Sequence, residues 1–265
     1  LQNLNPFHFK LGNKIQLLIF SLVLLTTVSM VILGFSMLLS VLLKSNSDHL
    51  SEISHLKLTE IEMSINSLDD RFQEFIADEK VRFAAEEFSS AFGELEGEVA
   101  DLPEKEQMIN ELKQFYIDEI APLSPFTGEN IVNYLSERDA ALIAQYKYIW
   151  QNPKPLGEKD KFVFANDYGS YSRVHGSYHT LFENFRNKIG AKDLLLVDPN
   201  SGDIIYTVNK NIDFGTNLYD GPFKNEAVSQ AFRKAVSETH SKSSFIDYSH
   251  YPPAYDQPVA FISIP

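Results

Sequence analysis

Residues 194–208, LLLVDPNSGDIIYTV, predict a β-hairpin. Two short apolar runs that contain β-branched residues flank a cluster of turn-forming residues, which is the pattern of two strands joined by a tight connection. Within the cluster, the side chains of Asp198 and Ser201 can hydrogen-bond nearby backbone groups, and Gly202 supplies a permissive backbone conformation. Short hairpins imply antiparallel pairing, so we expect an α+β fold rather than a doubly wound parallel sheet.

The chain after the hairpin continues with a predicted helix and two more strands. A loop that contains glycine and proline, FGTNLYDGPF at residues 214–223, precedes a predicted helix over about residues 225–238. Two strand-like runs follow, SFIDYSHY at 244–251 and PVAFISIP at 258–265. We expect the antiparallel sheet to be truncated at its C-terminal end, within an incomplete domain over residues 153–265.

Composition limits the classes of function. The chain has 265 residues, 44% of them hydrophobic, a formal net charge of -13 and no cysteine. The length is enough for one or two folded domains, and the absence of cysteine excludes disulfides, thiol catalysis and thiolate metal sites. All the acidic residues lie after residue 44. This acidic part would repel a phosphate backbone, so we expect no nucleic-acid partner.

Residues 15–43 carry no charged side chain. At about 1.5 Å per residue, a helix of this length exceeds a hydrocarbon core of about 30 Å, which predicts a transmembrane helix. A buried soluble helix seldom runs so far without a polar face, and a cleaved signal peptide has a shorter apolar core and a small-residue cleavage site. Lys10 and Lys14 precede the span without any acidic residue, so we expect residues 1–14 to form a cytoplasmic tail, with the acidic remainder outside.

Residues 44–152 are predicted to form an extracytoplasmic helical region. Just after the span, six apolar residues alternate at spacings of three and four, the pattern of a helix with one apolar stripe: Leu58, Ile61, Ile65, Leu68, Phe72 and Phe75. The stripe fits either a homodimer through paired helices or a helix packed inside its own bundle. Further helices are predicted over about residues 108–120, 131–150 and 174–189, and the last ends at Gly190.

Three segments carry a resemblance to a known family: ALIAQYKYIWQNPKPLGEKD (141–160), YSRVHGSYHTLFENFRNKIGAKDLLLVDPNSGDIIYTVNKNIDFGTNLYDGPF (171–223) and IDYSHYPPAYDQPVAFISIP (246–265). They resemble the periplasmic sensor regions of bacterial transmembrane receptors such as methyl-accepting chemotaxis proteins, which contain a Cache-like, PAS-related ligand module. The resemblance implies a protein of the bacterial inner membrane that binds a small extracellular solute and relays the event to a cytoplasmic output domain.

Two other functions remain open. Similar sensor regions precede nucleotide cyclases, phosphatases and histidine kinases, so the resemblance also fits the sensor of a receptor enzyme. Alternatively, the helical region could serve as an interaction module for a periplasmic partner.

The sequence predicts neither an active site nor a cofactor or metal site. His175 and His179 have the spacing of a zinc-protease helix, but Gly176 stands where that chemistry needs a glutamate as the general base. We therefore expect the two histidines to belong to the polar face of a sensor helix. Phosphate-binding glycine loops and the serine nucleophile elbow are absent from the sequence as well.

A ligand pocket needs only a concave surface with a few converging polar groups. The predicted ligand-binding residues come from one helix and two strands: Arg173, His175, Tyr206, Asp247 and Tyr248. Arg173 suits a ligand carboxylate, and Asp247 suits a ligand amine. Neighbours on a regular strand point to opposite faces, so Asp247 is preferred over Tyr248 as the pocket residue.

Overall fold

The computed structural model describes residues 11–98, 102–123, 131–136, 138–165, 167–238 and 243–265. The chain divides into two compact units, Leu1–Asn66 and Ser67–Pro265. Both sides of the predicted boundary between residues 152 and 153 lie in the second unit, where helices and strands contribute to one hydrophobic core. The α+β class is confirmed, because the second unit combines helices with two small antiparallel sheets.

The N-terminal helix, α1, runs over Leu11–Ile76 and contains the uncharged segment 15–43. None of its residues is buried, and its apolar side chains are exposed along this segment. The helix is long and apolar enough to cross a membrane, a condition that a signal sequence near an N-terminus also meets. Helix formation over residues 15–43 is confirmed, whereas the membrane crossing stays a prediction.

Five α-helices follow α1 among the described residues of the second unit. Their bounds are α2 Glu79–Glu94, α3 Lys105–Phe115, α4 Asp139–Gln145, α5 Ser170–Ile189 and α6 Ala227–Ser237. Of these, α4 is the most completely buried, since every residue from Ala141 to Gln145 lies in the core. A π-helical turn extends α3 over Tyr116–Ile120, and another extends α4 over Tyr146–Trp150. Short 3-10 turns cover Leu95–Gly97, Ala121–Leu123, Val132–Tyr134, Lys159–Lys161 and Pro252–Ala254.

The predicted helix over residues 131–150 is wrong at its start. Only a 3-10 turn forms at Val132–Tyr134, and the chain is extended at Leu135 and Arg138 before α4 begins. The buried hydroxyl of Ser136 accepts a hydrogen bond from the backbone N–H of Arg138 at 3.4 Å. This local bond competes with helix formation, as serine side chains commonly do.

Gly190 ends α5 as predicted. Its φ is +69°, in the left-handed region that favours glycine, and its N–H bonds back to the carbonyl groups of Arg186 and Asn187. The geometry matches the predicted C-cap.

In the described part of the chain, four strands form two separate antiparallel hairpins. The first pairs β1 Leu195–Val197 with β2 Ile204–Thr207, and the second pairs β3 Ser244–Tyr251 with β4 Gln257–Ser263. Helix α6 lies between the hairpins in the chain, so the predicted order of strand, strand, helix, strand, strand is confirmed. Among the described residues, β1 pairs with no strand besides β2, and β4 with none besides β3.

The turn of the first hairpin has the predicted chemistry. Asp198 Oδ1 accepts hydrogen bonds from the N–H groups of Asn200 at 2.8 Å and Ser201 at 2.9 Å, and Gly202 has a φ of +79°. Beyond β2 the chain folds back beside it: the N–H of Ile204 donates to Thr216 O at 2.9 Å. One edge of β2 is therefore covered by this loop, while the outer edge of β1 stays open.

The apolar stripe near the end of α1 is divided between the two units. Leu58 and Ile61 lie in the first unit and are 59% and 55% exposed. In the second unit, the ring of Phe75 stacks on Phe185 with centroids 3.7 Å apart, and Phe72 meets the same ring edge-on at 5.2 Å. The intramolecular alternative therefore holds for Phe72 and Phe75, and a homodimer stays a prediction for the exposed part of the stripe.

Replacing Phe75 with alanine is expected to lower the free energy of unfolding of the second unit by about 2–3 kcal/mol, because a half-buried aromatic ring loses its stacking partner. Ile61→Ala, at an exposed position, is the control and should change it by less than about 0.5 kcal/mol. The single tryptophan, Trp150, provides a fluorescence signal for denaturant titrations. Equal effects of the two substitutions would contradict the assignment of Phe75 to the core.

Candidate functional site

A cavity of about 1670 Å³ lies inside the second unit. Its wall is mainly apolar, and both hairpins and α6 contribute to it, with Leu195 of β1, Phe261 of β4 and Phe232 as examples. Its volume exceeds the 300–1,000 Å³ that is usual for small-molecule pockets. The open edges of β1 and β4 both contribute residues to this wall.

Ten charged residues line the cavity as well, five acidic and five basic: Glu86, Asp160, Asp193, Asp198 and Asp213, and Arg82, Lys159, Arg186, Lys192 and Lys210. Two of them pair with each other, since Arg186 Nη2 donates to Asp160 Oδ2 at 2.7 Å. A second nitrogen of the same guanidinium, Nη1, donates to Asn209 Oδ1 at 3.1 Å. Asp193, Lys210 and Asp213 form a cluster, in which the charges of Asp213 and Lys210 both act on the carboxyl group of Asp193.

The two carboxyl groups of this cluster are held by different contacts. Asp193 Oδ1 accepts hydrogen bonds from three backbone N–H groups, those of Leu194, Val208 and Asn209, at 2.7–3.1 Å. Asp213 is 1% exposed, and its Oδ2 accepts a 2.7 Å hydrogen bond from the Tyr251 hydroxyl.

Burial shifts the titration of both groups. It raises the pKa of Asp193 to about 7, with a further increase from the nearby Asp213, and it raises the pKa of Asp213 to about 6.

Lys210 is buried with 2% exposure, although its side chain carries an ammonium group. Its Nζ donates to Val208 O at 2.9 Å, and its backbone has a φ of +56°, supported by a hydrogen bond from its N–H to Thr207 Oγ1 at 2.7 Å. Burial lowers the pKa of this ammonium group to about 7, against the opposing effect of Asp193. At neutral pH, Lys210 is therefore close to losing its proton.

His175 and His179 lie in the core, so their predicted place on a polar helix face is wrong. They are 1% and 0% exposed, and their rings stack with centroids 4.6 Å apart. Partners inside the core satisfy both nitrogens of His179: Nε2 lies 2.5 Å from Asp160 O, which only accepts, so this nitrogen carries the proton and Nδ1 accepts from the Tyr206 hydroxyl at 2.7 Å. His175 has one such partner, since its Nδ1 lies 2.7 Å from Val163 O, while its Nε2 has none among the described residues.

The two buried histidine rings are uncharged. Burial lowers the pKa of His179 to about 4 and that of His175 well below its usual value, so both rings are neutral at physiological pH. Within the part of the chain that the structure describes, no group of three or more His, Asp and Glu side chains could hold a metal ion.

The five predicted ligand-binding residues do not converge on one pocket. His175 and Tyr206 meet in the core with ring centroids 5.6 Å apart, and neither lines the cavity. Arg173 is exposed, and its guanidinium donates to the Tyr168 carbonyl at 3.0 Å.

Asp247 and Tyr248 are both exposed, and only Tyr248 reaches the cavity wall. The expected alternation of their faces fails because the register between β3 and β4 shifts between Ile246 and Ser249. An irregularity of this kind breaks the two-residue period of a strand.

The sequence interpretation missed Asp193, Lys210 and Asp213. A signal was present for the two carboxyl groups, because Asp193 directly precedes the apolar strand run and Asp213 stands between Ile212 and Phe214. A charged residue inside an apolar run indicates a buried polar group that has specific partners. Lys210 lies in the polar run NKN, which gives no such signal.

Comparison with known proteins gives no match: no model of a known family, no curated protein and no solved structure is significantly similar to this chain.

Substitution of Lys210 by methionine is expected to change how stability depends on pH. The folded pKa of about 7 lies below the ordinary value of 10.5, so between these values the unfolded chain binds more protons and the free energy of unfolding rises with pH. From pH 7.5 to 9.5 the unmodified chain should gain on the order of 1–3 kcal/mol relative to Lys210→Met. Denaturant titrations across this range measure the difference, with the exposed Lys192→Met as control. Parallel pH curves for Lys210→Met and the unmodified chain would refute the buried ammonium group.

Proposed function

We propose that this chain is the membrane-anchored sensor region of a bacterial signal-transduction receptor, in which residues 67–265 bind a small extracellular solute. The cavity of about 1670 Å³ is the observation that carries this proposal. Its wall is largely apolar and also carries charged side chains, and small-molecule sites usually combine an apolar lining with polar groups that orient the ligand. The output is proposed to be of the chemotaxis-receptor type.

The two hairpins are proposed to be parts of one PAS/Cache-like sheet. The free edges of β1 and β4 have backbone groups without a strand partner among the described residues, and both strands contribute to the cavity wall. Open edges of this kind favour the addition of another strand. The cavity is large enough for an added strand at its apolar part, which would leave its charged part for a solute.

The proposed location is the bacterial inner membrane. The uncharged segment 15–43 would span the bilayer, with residues 1–14 in the cytoplasm because Lys10 and Lys14 precede the span. A reporter enzyme that works only outside the cytoplasm should then be active when it is fused near Gly157, and a reporter that works only in the cytoplasm should be inactive there.

The exposed Leu58 and Ile61 are proposed to pair with the same residues of a second copy in a homodimer. A solute can shift the arrangement of the paired helices only if it binds one arrangement more tightly than the other.

A solute screen on the full chain in lipid nanodiscs tests the sensor function. A bound solute at 100 times its Kd should stabilise the second unit by about 2.7 kcal/mol, which raises the melting temperature by several degrees. Val259→Trp is expected to reduce the effect, because Val259 of β4 is half-buried and lines the cavity, so the larger ring would occupy part of the space that is open to a solute.

The matched control is Val163→Trp, at a position that is 38% exposed and outside the cavity wall. It should leave the stabilisation intact. A screen without a stabilising solute, or stabilisation that Val259→Trp leaves undiminished, would contradict the proposed sensor cavity.

A further inference from the structure

Lys210 belongs to the cavity wall, and its side chain has no ion-pair partner. The residue is 2% exposed, and in the described part of the chain no carboxylate oxygen lies within 4.0 Å of its Nζ. Nζ lies 2.9 Å from Val208 O, to which it donates, and 3.5 Å from His179 Nδ1. A buried ammonium group without a close negative charge is unfavourable, so these surroundings favour the uncharged amine.

The other two lysines of the wall have surroundings that suit a charged group better. Lys159 Nζ donates to two backbone carbonyl oxygens, at 3.2 and 3.1 Å, and lies 5.3 Å from the ring centroid of Phe115. Lys192 is exposed, and its Nζ donates to a side-chain amide oxygen at 2.7 Å. Lys210 is therefore the lysine of this wall that is best suited to be a neutral amine.

The backbone of Lys210 supplies a second sign, independent of burial. Its φ is +56°, a left-handed conformation that is uncommon for a residue with a side chain. The hydrogen bond from its N–H to Thr207 Oγ1, 2.7 Å long, holds this conformation. Strained backbone positions persist only where their surroundings enforce them, and they are concentrated at functional sites.

The charged groups around Lys210 come from three parts of the fold. Asp193 precedes β1, Asp160 lies in a 3-10 turn, and Glu183 and Arg186 belong to α5. The three carboxylates raise the pKa of Lys210 and Arg186 lowers it, but burial outweighs them and brings the pKa to about 7. About half of the Lys210 side chains are then neutral at pH 7, whereas an exposed lysine with a pKa of about 10.4 is almost entirely protonated.

We propose that Lys210 is a nucleophilic amine that captures a small aldehyde or ketone in the cavity as an imine. This inference rests on the proposed function, because the cavity must admit small solutes, and it names a class of solute for that cavity. Desolvated lysines are the side chains that form Schiff bases with carbonyl compounds. The apolar part of the wall, with residues such as Phe232 and Phe261, suits a hydrocarbon substituent on the carbonyl carbon.

The reaction needs no reactant besides the amine and the carbonyl compound. The nitrogen lone pair adds to the carbonyl carbon, so that a C–N bond forms and the C=O double bond becomes single, and a proton passes from nitrogen to oxygen. The hydroxyl group of this carbinolamine then leaves as water, and the loss of the second N–H proton completes the C=N bond. Asp193 lies on the same wall, and because burial raises its pKa to about 7, its carboxyl group can both give and take a proton near neutral pH.

The experiment is reductive trapping on the full chain in nanodiscs at pH 7, with 3-phenylpropanal as the probe. Cyanoborohydride reduces the C=N bond to a secondary amine, and peptide mapping by mass spectrometry assigns each label to its lysine. Lys210 should be labelled at least about tenfold faster than Lys192, the exposed lysine of the same wall, because a far larger fraction of Lys210 is neutral. The matched control is the same chain in concentrated urea, where burial is lost and the two rates should become about equal.

Thermal unfolding of the second unit gives a second readout. The aldehyde should stabilise the unmodified chain and Lys192→Met more than 3-phenylpropan-1-ol does, since the alcohol has the same carbon skeleton but forms no imine. In Lys210→Met the two compounds should have equal effects. If Lys210→Met fails to fold, the trapping experiment on the unmodified chain decides. Equal labelling rates of Lys210 and Lys192 in the folded chain, or a tenfold excess that persists in urea, would overturn the proposal.

The failures of the two proposals are distinguishable. A solute whose stabilising effect is reduced in Val259→Trp, together with equal labelling of Lys210 and Lys192, overturns carbonyl capture and leaves the sensor function standing. If no solute of any class stabilises the second unit and Lys210 shows no excess of label, both proposals fall.

Discussion

The second unit depends on a buried hydrogen bond from the Tyr251 hydroxyl to Asp213 Oδ2, 2.7 Å long. Within the described chain the two hairpins share no backbone pairing, so side chains must hold one against the other. Tyr251 ends the third strand and Asp213 lies in the loop after the second, so this bond joins the hairpins directly. The Tyr251 ring also packs against Phe223 and Phe261, which fixes the direction of its hydroxyl.

The same arrangement creates the cavity. The hairpins are joined by side chains and not by backbone pairing, and β1 and β4 both contribute residues to the cavity wall. Asp213, in the loop after β2, lines the same wall. Burial of Asp193 and Asp213 is unfavourable for their ionised forms, which is why the pKa of each rises well above its ordinary value of 3.8.

Local chemistry explains which parts of the fold are predictable from the sequence. The hairpin turn, the cap at Gly190 and the order of strands and helix follow from residues that act on their immediate neighbours. Helix α2 had comparable signals, since Asp78 caps its first turn by accepting from the Lys80 N–H at 2.9 Å and its buried positions recur at helical spacing. The sequence nevertheless gives a weak hydrophobic pattern over α2, because two of its five buried residues, Ala84 and Ala91, are small alanines.

The candidate site depends on tertiary placement and was therefore beyond local reasoning. The strand irregularity that exposes both Asp247 and Tyr248 has no sequence signal as distinct as a glycine turn. The histidine pair looked polar by residue type, yet a carbonyl group from a distant loop and a tyrosine hydroxyl satisfy His179 in the core. Asp193, Lys210 and Asp213 come together only when the chain has folded around the cavity.

A double-mutant cycle on the bond between Tyr251 and Asp213 tests the account most directly. Unfolding of Tyr251→Phe, Asp213→Ala and the double variant is followed by Trp150 fluorescence at pH 8, where the carboxyl group is ionised because its pKa is about 6. Since a hydroxyl donates to a carboxylate in a buried site, the predicted coupling free energy is about 1.5–3 kcal/mol. Additive effects, within about 0.5 kcal/mol, would show that the hairpins are held together by other contacts and would contradict the account.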